Sequence, residues 1–110
     1  MKWEIIILNK KVEKEINSLP NDLKAKLSHI ISLIREFGAE NVREPYIKYL
    51  KTHKLWEIRM KGKSGIGRAI YITSKAKKIY ILHAFVKKSQ KTPADALKKA
   101  INRISEVKND

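Results

Sequence analysis

The chain has 110 residues, 43% of them hydrophobic and 33% charged, and carries a formal net charge of +14. That length allows one domain with one core, and that composition excludes a disordered chain. The absence of cysteine excludes disulfides and thiolate metal sites and fits a reducing compartment.

The charge is unevenly spread. Residues 1–50 hold nine Lys and Arg against seven Asp and Glu, while residues 51–110 hold sixteen against four. A solvated lysine-rich surface predicts no such asymmetry, so nucleic acid is the expected partner. Apolar runs such as Ile5-Ile6-Ile7-Leu8 are too short to span a bilayer, and Met1-Lys2-Trp3-Glu4 lacks the apolar region of a signal peptide. The expectation is a cytoplasmic protein that engages no membrane.

Lys2–Leu8 reads as a covered strand. Lys10–Leu19 reads as a helix, with Val12, Ile16 and Leu19 at helical spacing. Pro20 breaks it, and Asn21 or Asp22 can cap the next helix. That helix carries Leu23, Leu27, Ile30, Ile31 and Ile34 as one stripe, with Phe37 close by and Gly38 as a C-terminal stop. The short break predicts a helical hairpin. Residues 39–53 show no period, and Pro45, Tyr46 and Tyr49 predict an ordered loop on the sheet edge.

Three strand-like runs follow, from Leu55, Ile66 and Lys78, with turns near Gly62–Gly65 and Ser74–Lys78. A last helix starts near Thr92-Pro93, with Thr92 as N-cap, Pro93 as first residue and Leu97, Ala100, Ile101 and Ile104 on its apolar face. The order β-α-α-β-β-β-α gives an α+β domain, helices against a mostly antiparallel sheet.

The runs Leu55-Trp56-Glu57-Ile58-Arg59, Gly67-Arg68-Ala69-Ile70-Tyr71 and Leu82 to Pro93 resemble the RelE-like toxins of type II toxin–antitoxin systems. They look specifically like the HigB, or phage-derived Gp49-like, branch. The resemblance implies the RelE-like fold and an mRNA endoribonuclease that works in the ribosomal A site. It also implies a cognate antitoxin, expected to be a helix-turn-helix protein. Such an antitoxin either lies across the basic cleft or wraps the helical side, and the second mode is preferred because the broad basic rim is easily blocked by bulk. Residue by residue, it places Arg59 at a basic position of the family's second strand. Arg68 matches the arginine that opens the third strand and faces the scissile phosphate. Lys87 or Lys88 falls near the basic residue after the last strand. The chain departs from the pattern at Glu57, where lysine is frequent. It also lacks the tyrosine after the final strand and the C-terminal aspartate-tyrosine-histidine cluster of some HigB proteins.

RNA can be cut without a metal when its own 2′-OH attacks the adjacent phosphate. The protein must then orient the groups, stabilise phosphoryl charge and move two protons. The expected catalytic set is Arg59, Arg68, His83 and Lys87, with no metal or other cofactor. Arginine forks suit phosphate and stay charged. Arg59 alternates with core residues Trp56, Ile58 and Met60 and shares a polar face with Glu57 and Lys61. Strict alternation puts Arg68 with Ile70 and Ile72, unless Gly67 marks a bulge or the strand starts after it. His83 can transfer a proton near neutral pH, although Ile79, Ile81 and Phe85 share its predicted face and also fit a packed histidine. Lys54, Lys61, Lys63, Lys88 and Lys91 are expected to grip RNA, and Phe85 to stack on a base. Removing Arg68 is expected to relieve toxicity and spare the fold. The alternative reading is a non-catalytic RNA- or ribosome-binding module.

Overall fold

Asn9 opens the first helix, because its side-chain oxygen accepts a hydrogen bond from Val12 N–H at 3.0 Å. In the computed structural model, which describes residues 3–87 and 93–107, this helix is α1, Lys10–Asn17. It stops short of the expected Leu19, as Ser18 and Leu19 already close the turn onto Lys14 and Ile16 carbonyls. Helix α2 spans Asn21–Phe37 with Pro20 in the capping position, not Asn21 or Asp22. The Asp22 carboxylate is engaged elsewhere, accepting from Ser64 N–H at 2.9 Å across 42 residues of sequence. Leu23, Leu27, Ile30 and Ile34 are buried as the stripe predicts, while Phe37 is exposed. Gly38 ends the helix at φ +90°, a left-handed conformation that disfavours any side chain.

Five strands form one sheet: β1 (Glu4–Ile7), β2 (Ile47–Leu50), β3 (Leu55–Gly62), β4 (Gly65–Thr73) and β5 (Lys78–Lys87). Their order is β1-β5-β4-β3-β2, with β1 parallel to β5 and every other pair antiparallel. The meander is as expected. The stretch 39–53 is not only a loop, however: β2 pairs with β3 through Ile47–Ile58 and Tyr49–Trp56 and forms the edge. The observed order is therefore β-α-α-β-β-β-β-α. Helix α3, Ala94–Arg103, has Pro93 at its capping position rather than inside it, and Thr92 lies outside the described residues.

The sheet separates two cores. Against α1 and α2 pack Ile58, Met60, Ala69, Tyr71, Ile79 and Ile81, with Val12 and the α2 stripe. Against α3 pack Leu55, Ile70 and Leu82, with Ala96 and Ala100. Each fully buried aliphatic side chain contributes about 1.5–3 kcal/mol. No helix among the described residues is long and apolar enough to cross a membrane.

One irregularity decides which side chains meet. The β4–β5 ladder pairs Ile70 with His83 but Tyr71 with Ile81, which leaves Leu82 as an extra residue. This bulge turns His83 and Phe85 to the α3 face, away from Ile79 and Ile81, contrary to the alternation expected of β5. No bulge occurs at Gly67, where the β3–β4 ladder runs unbroken through Met60–Gly67 and Arg59–Arg68. Gly67 instead permits close approach: a Cβ there would lie 2.9 Å from Met60 Cε and 3.3 Å from Leu23 Cδ1.

Candidate functional site

Three cross-strand rows carry the basic residues onto the α3 face. Lys48, Glu57, Ile70 and His83 form one row; Arg59, Arg68 and Phe85 form the next; Lys61, Ile66 and Lys87 form the third. Side chains directly opposed across strands lie close enough to interact. The register thus gathers Arg59, Arg68 and Lys87 around Glu57.

The centre of this group is enclosed. Arg68 is 0%, Glu57 1% and Lys87 4% exposed, whereas Arg59 is half-buried. Glu57 was expected on a polar face with Arg59 and Lys61. It shares that face, but the sheet encloses it. Arg68 Nε lies 2.9 Å from Glu57 Oε1 as an ion pair that is not aligned as a hydrogen bond, and its Nη1 donates to Gly67 C=O at 3.2 Å. Arg68 Nη2 and Arg59 Nε have no hydrogen-bond acceptor among the described residues. Burial pushes Arg68 down from its ordinary pKa, Glu57 opposes this, and Arg59 adds to it. Lys87 is also pushed down, first by burial and then by Arg68. Several cations around one carboxylate leave a local excess of positive charge and guanidinium N–H groups that an anion could satisfy.

His83 belongs to a second network. Its Nδ1 lies 2.8 Å from Glu15 Oε1, and its ring stacks on Phe85 with centroids 4.9 Å apart. Glu15 also accepts from Ala84 N–H at 3.2 Å and from both terminal nitrogens of Arg103 at 3.0 and 2.9 Å. Arg103 Nη1 donates to Leu82 C=O at 2.8 Å. The pairing of β1 with β5 ends at Ile81, so these two side chains serve the backbone edge that β1 leaves open. Burial pushes His83 below its ordinary pKa, against the pull of Glu15. The resulting neutral ring donates Nδ1–H to Glu15 and keeps a basic Nε2.

The network makes stability fall with acid. The folded pKa values of both His83 and Glu15 are lowered. For Glu15, burial alone would raise the value, but bonds to Arg103, His83 and Ala84 outweigh it. The unfolded chain therefore binds more protons, first below the ordinary histidine value of 6.5 and then below the ordinary glutamate value of 4.5. Urea midpoints measured from pH 8 to pH 4 are expected to drop through both windows, and in Glu15→Gln the drop through the glutamate window should shrink. A flat profile would contradict the network.

The remaining expected contacts are dispersed. Lys54 and Lys63 sit in exposed turns around β3, Lys61 is exposed near its end, and Phe85 is half-buried. Lys88 and Lys91 lie outside the described residues. Sequence reading passed over Lys48, which opposes Glu57, and over Glu15 and Arg103. Only their bonding with His83, Ala84 and Leu82 reveals the latter two. No group of three or more possible metal ligands occurs among the described residues.

The sequence model of the family described as Phage derived protein Gp49-like (DUF891) matches residues 14–105. The match runs from within α1 through the end of α3 and includes Glu15, Arg59, Arg68, His83 and Lys87. No curated protein matches the chain.

Proposed function

Because the chain belongs to the phage-derived Gp49-like family, a HigB/RelE-like toxin family, we propose that it is the toxin of a type II toxin–antitoxin pair. In this reading it is a cytoplasmic endoribonuclease that cuts mRNA on the ribosome without a metal. The observation that carries the reading is the clustering of Arg59, Arg68 and Lys87 around Glu57, with guanidinium N–H groups left without acceptors.

In the proposed reaction the substrate's 2′-oxygen attacks phosphorus and the 5′-oxygen leaves. The products are a 2′,3′-cyclic phosphate and a 5′-hydroxyl. Arg59 meets the non-bridging oxygens as charge builds on them, and Lys87, enclosed like Arg68, adds its charge from behind. Arg68 likewise adds its charge through a medium of low polarity and fixes the position of Glu57. His83 takes the 2′-OH proton at Nε2 while Glu15 holds the ring, and a solvent water gives its proton to the leaving 5′-oxygen. Lys54, Lys61, Lys63, Lys88 and Lys91 contact RNA phosphates, and Phe85 offers a face for a base.

The test is a cell-free translation reaction with primer extension on the mRNA. The reading expects new 5′ ends within translated codons and arrested synthesis, both abolished by the product of the adjacent antitoxin gene. Intact mRNA with translation merely slowed would favour the non-catalytic binding module.

Binding to RNA or ribosomes should also depend steeply on salt. Each phosphate neutralised on a single strand contributes about −0.7 to the slope of log K against log salt. Contacts from three or more cations predict a slope of about −2 or steeper. A flat response would show that the basic face is not the contact surface.

A further inference from the structure

On the opposite face of the sheet lies a groove of about 690 Å3, the size of a ligand pocket. Its floor is a single cross-strand row of aromatic rings, Tyr49, Trp56 and Tyr71. Tyr49 and Trp56 have centroids 4.5 Å apart, and Trp56 lies nearly parallel to Tyr71 at 6.3 Å. Trp3 lines one wall, and its buried indole N–H has no acceptor among the described residues. Glu40 and Glu44 stand on the exposed rim together with Arg43, leaving one net negative charge, and none of the three forms an ion pair among the described residues.

We infer that this groove binds an arginine-bearing extended peptide segment of a protein partner. Two features select that occupant. An aromatic floor, with Trp56 and Tyr71 near parallel and Tyr49 tilted by 45° against Trp56, favours a guanidinium, which stacks on ring faces and is weakly hydrated. Two unpaired carboxylates beside the floor accept its N–H groups, and the same carboxylates repel nucleic-acid phosphates.

The sheet edge fits the same occupant. Arg59 N–H donates to Tyr46 C=O at 2.8 Å. Antiparallel alternation then places Lys48–Glu57 in the next hydrogen-bonded pair and turns the backbone N–H and C=O of Tyr49 outward. An extended peptide laid along β2 could pair with those groups while its arginine enters the groove. The two faces of the sheet would therefore take opposite charges: phosphate against α3's face, a cation against the aromatic row.

The chain's two tryptophans, Trp3 and Trp56, both line the groove, so intrinsic fluorescence reports on it directly. The experiment titrates the full chain with an acetylated and amidated five-residue peptide, arginine between glycines, and with the same peptide carrying neutral citrulline. A five-nucleotide RNA is the third arm. The expected result is a saturable tryptophan change with the arginine peptide, at least about tenfold weaker with citrulline. Glu40→Gln combined with Glu44→Gln should weaken binding about fivefold or more with an unchanged circular dichroism spectrum. Equal response to citrulline, no saturable change up to about 10 mM peptide, or a response to RNA alone would each overturn the inference. Arg59→Ala should leave peptide binding unchanged, which separates this result from the fate of the RNA-cleavage reading.

Discussion

Arg68→Ala is expected to lose about 3–5 kcal/mol of folding stability, the usual cost of breaking a buried ion pair from one side. Arg68 is wholly enclosed and its guanidinium lies 2.9 Å from a Glu57 carboxylate that is itself shut off from water. Truncating the arginine leaves that carboxylate in a low-polarity site with its main compensating charge removed. Domains of this kind have about 5–15 kcal/mol in total, so the loss is a large share. With m-values of about 1–3 kcal/mol/M, the urea midpoint should fall by about 1 M or more. An Arg68→Ala midpoint equal to that of the parent chain would contradict the ion pair. The burial of Arg68 thus argues against the expectation from sequence that the substitution spares the fold, and loss of toxicity in Arg68→Ala would not by itself identify a phosphate contact.

Arg59→Ala separates chemistry from folding. Arg59 is half-buried, its Nε has no acceptor among the described residues, and it stands directly opposite Arg68. Its removal strands no carboxylate in the way that removal of Arg68 does, since the 2.9 Å partner of Glu57 remains. The expected stability change is within about 1 kcal/mol. The expected rate of mRNA cleavage falls about 100- to 1,000-fold, the scale of losing one donor aimed at developing charge. Arg59→Lys should restore only part of it, since an ammonium cannot bind two phosphoryl oxygens with a planar fork. Cleavage by Arg59→Ala at close to the parent rate would remove Arg59 from the reaction.

Much of this architecture can be read from residues alone, for local reasons. The α2 stripe from Leu23 to Ile34 repeats at helical spacing over a full face. The meander strands alternate between glycine-bearing or polar turns. Strand β2 escapes notice because four residues, Ile47 to Leu50, are too few to establish a period. The bulge at Leu82 has no glycine or proline to mark it, so Ile79 to Lys87 reads as one continuous alternation. That hides the turn of His83 and Phe85 toward the face of Arg68.

The site is less legible than the fold because its partners are distant in sequence. Glu15 meets His83 across 68 residues and Arg103 across 88. Nothing local to Glu15 distinguishes it from the other charges of α1. Glu57 shows a related failure. Alternation assigns it correctly to the face of Arg59 and Lys61, but a face is not an exposure. Its burial depends on Arg68 and on the residues of β5 that the bulge redirects.

The central claim is that RNA supplies its own nucleophile at this basic cluster. The direct measurement uses purified ribosomes and translation factors with a short mRNA, prepared as all-ribose and with a single 2′-deoxy nucleotide preceding the cut. The chain is expected to cut the all-ribose message and leave a 2′,3′-cyclic phosphate and a 5′-hydroxyl end. No cut is expected at the deoxy position, with ribosome binding unchanged. Cleavage of the deoxy message at the same site and rate, or binding of both messages with cleavage of neither, would contradict that claim.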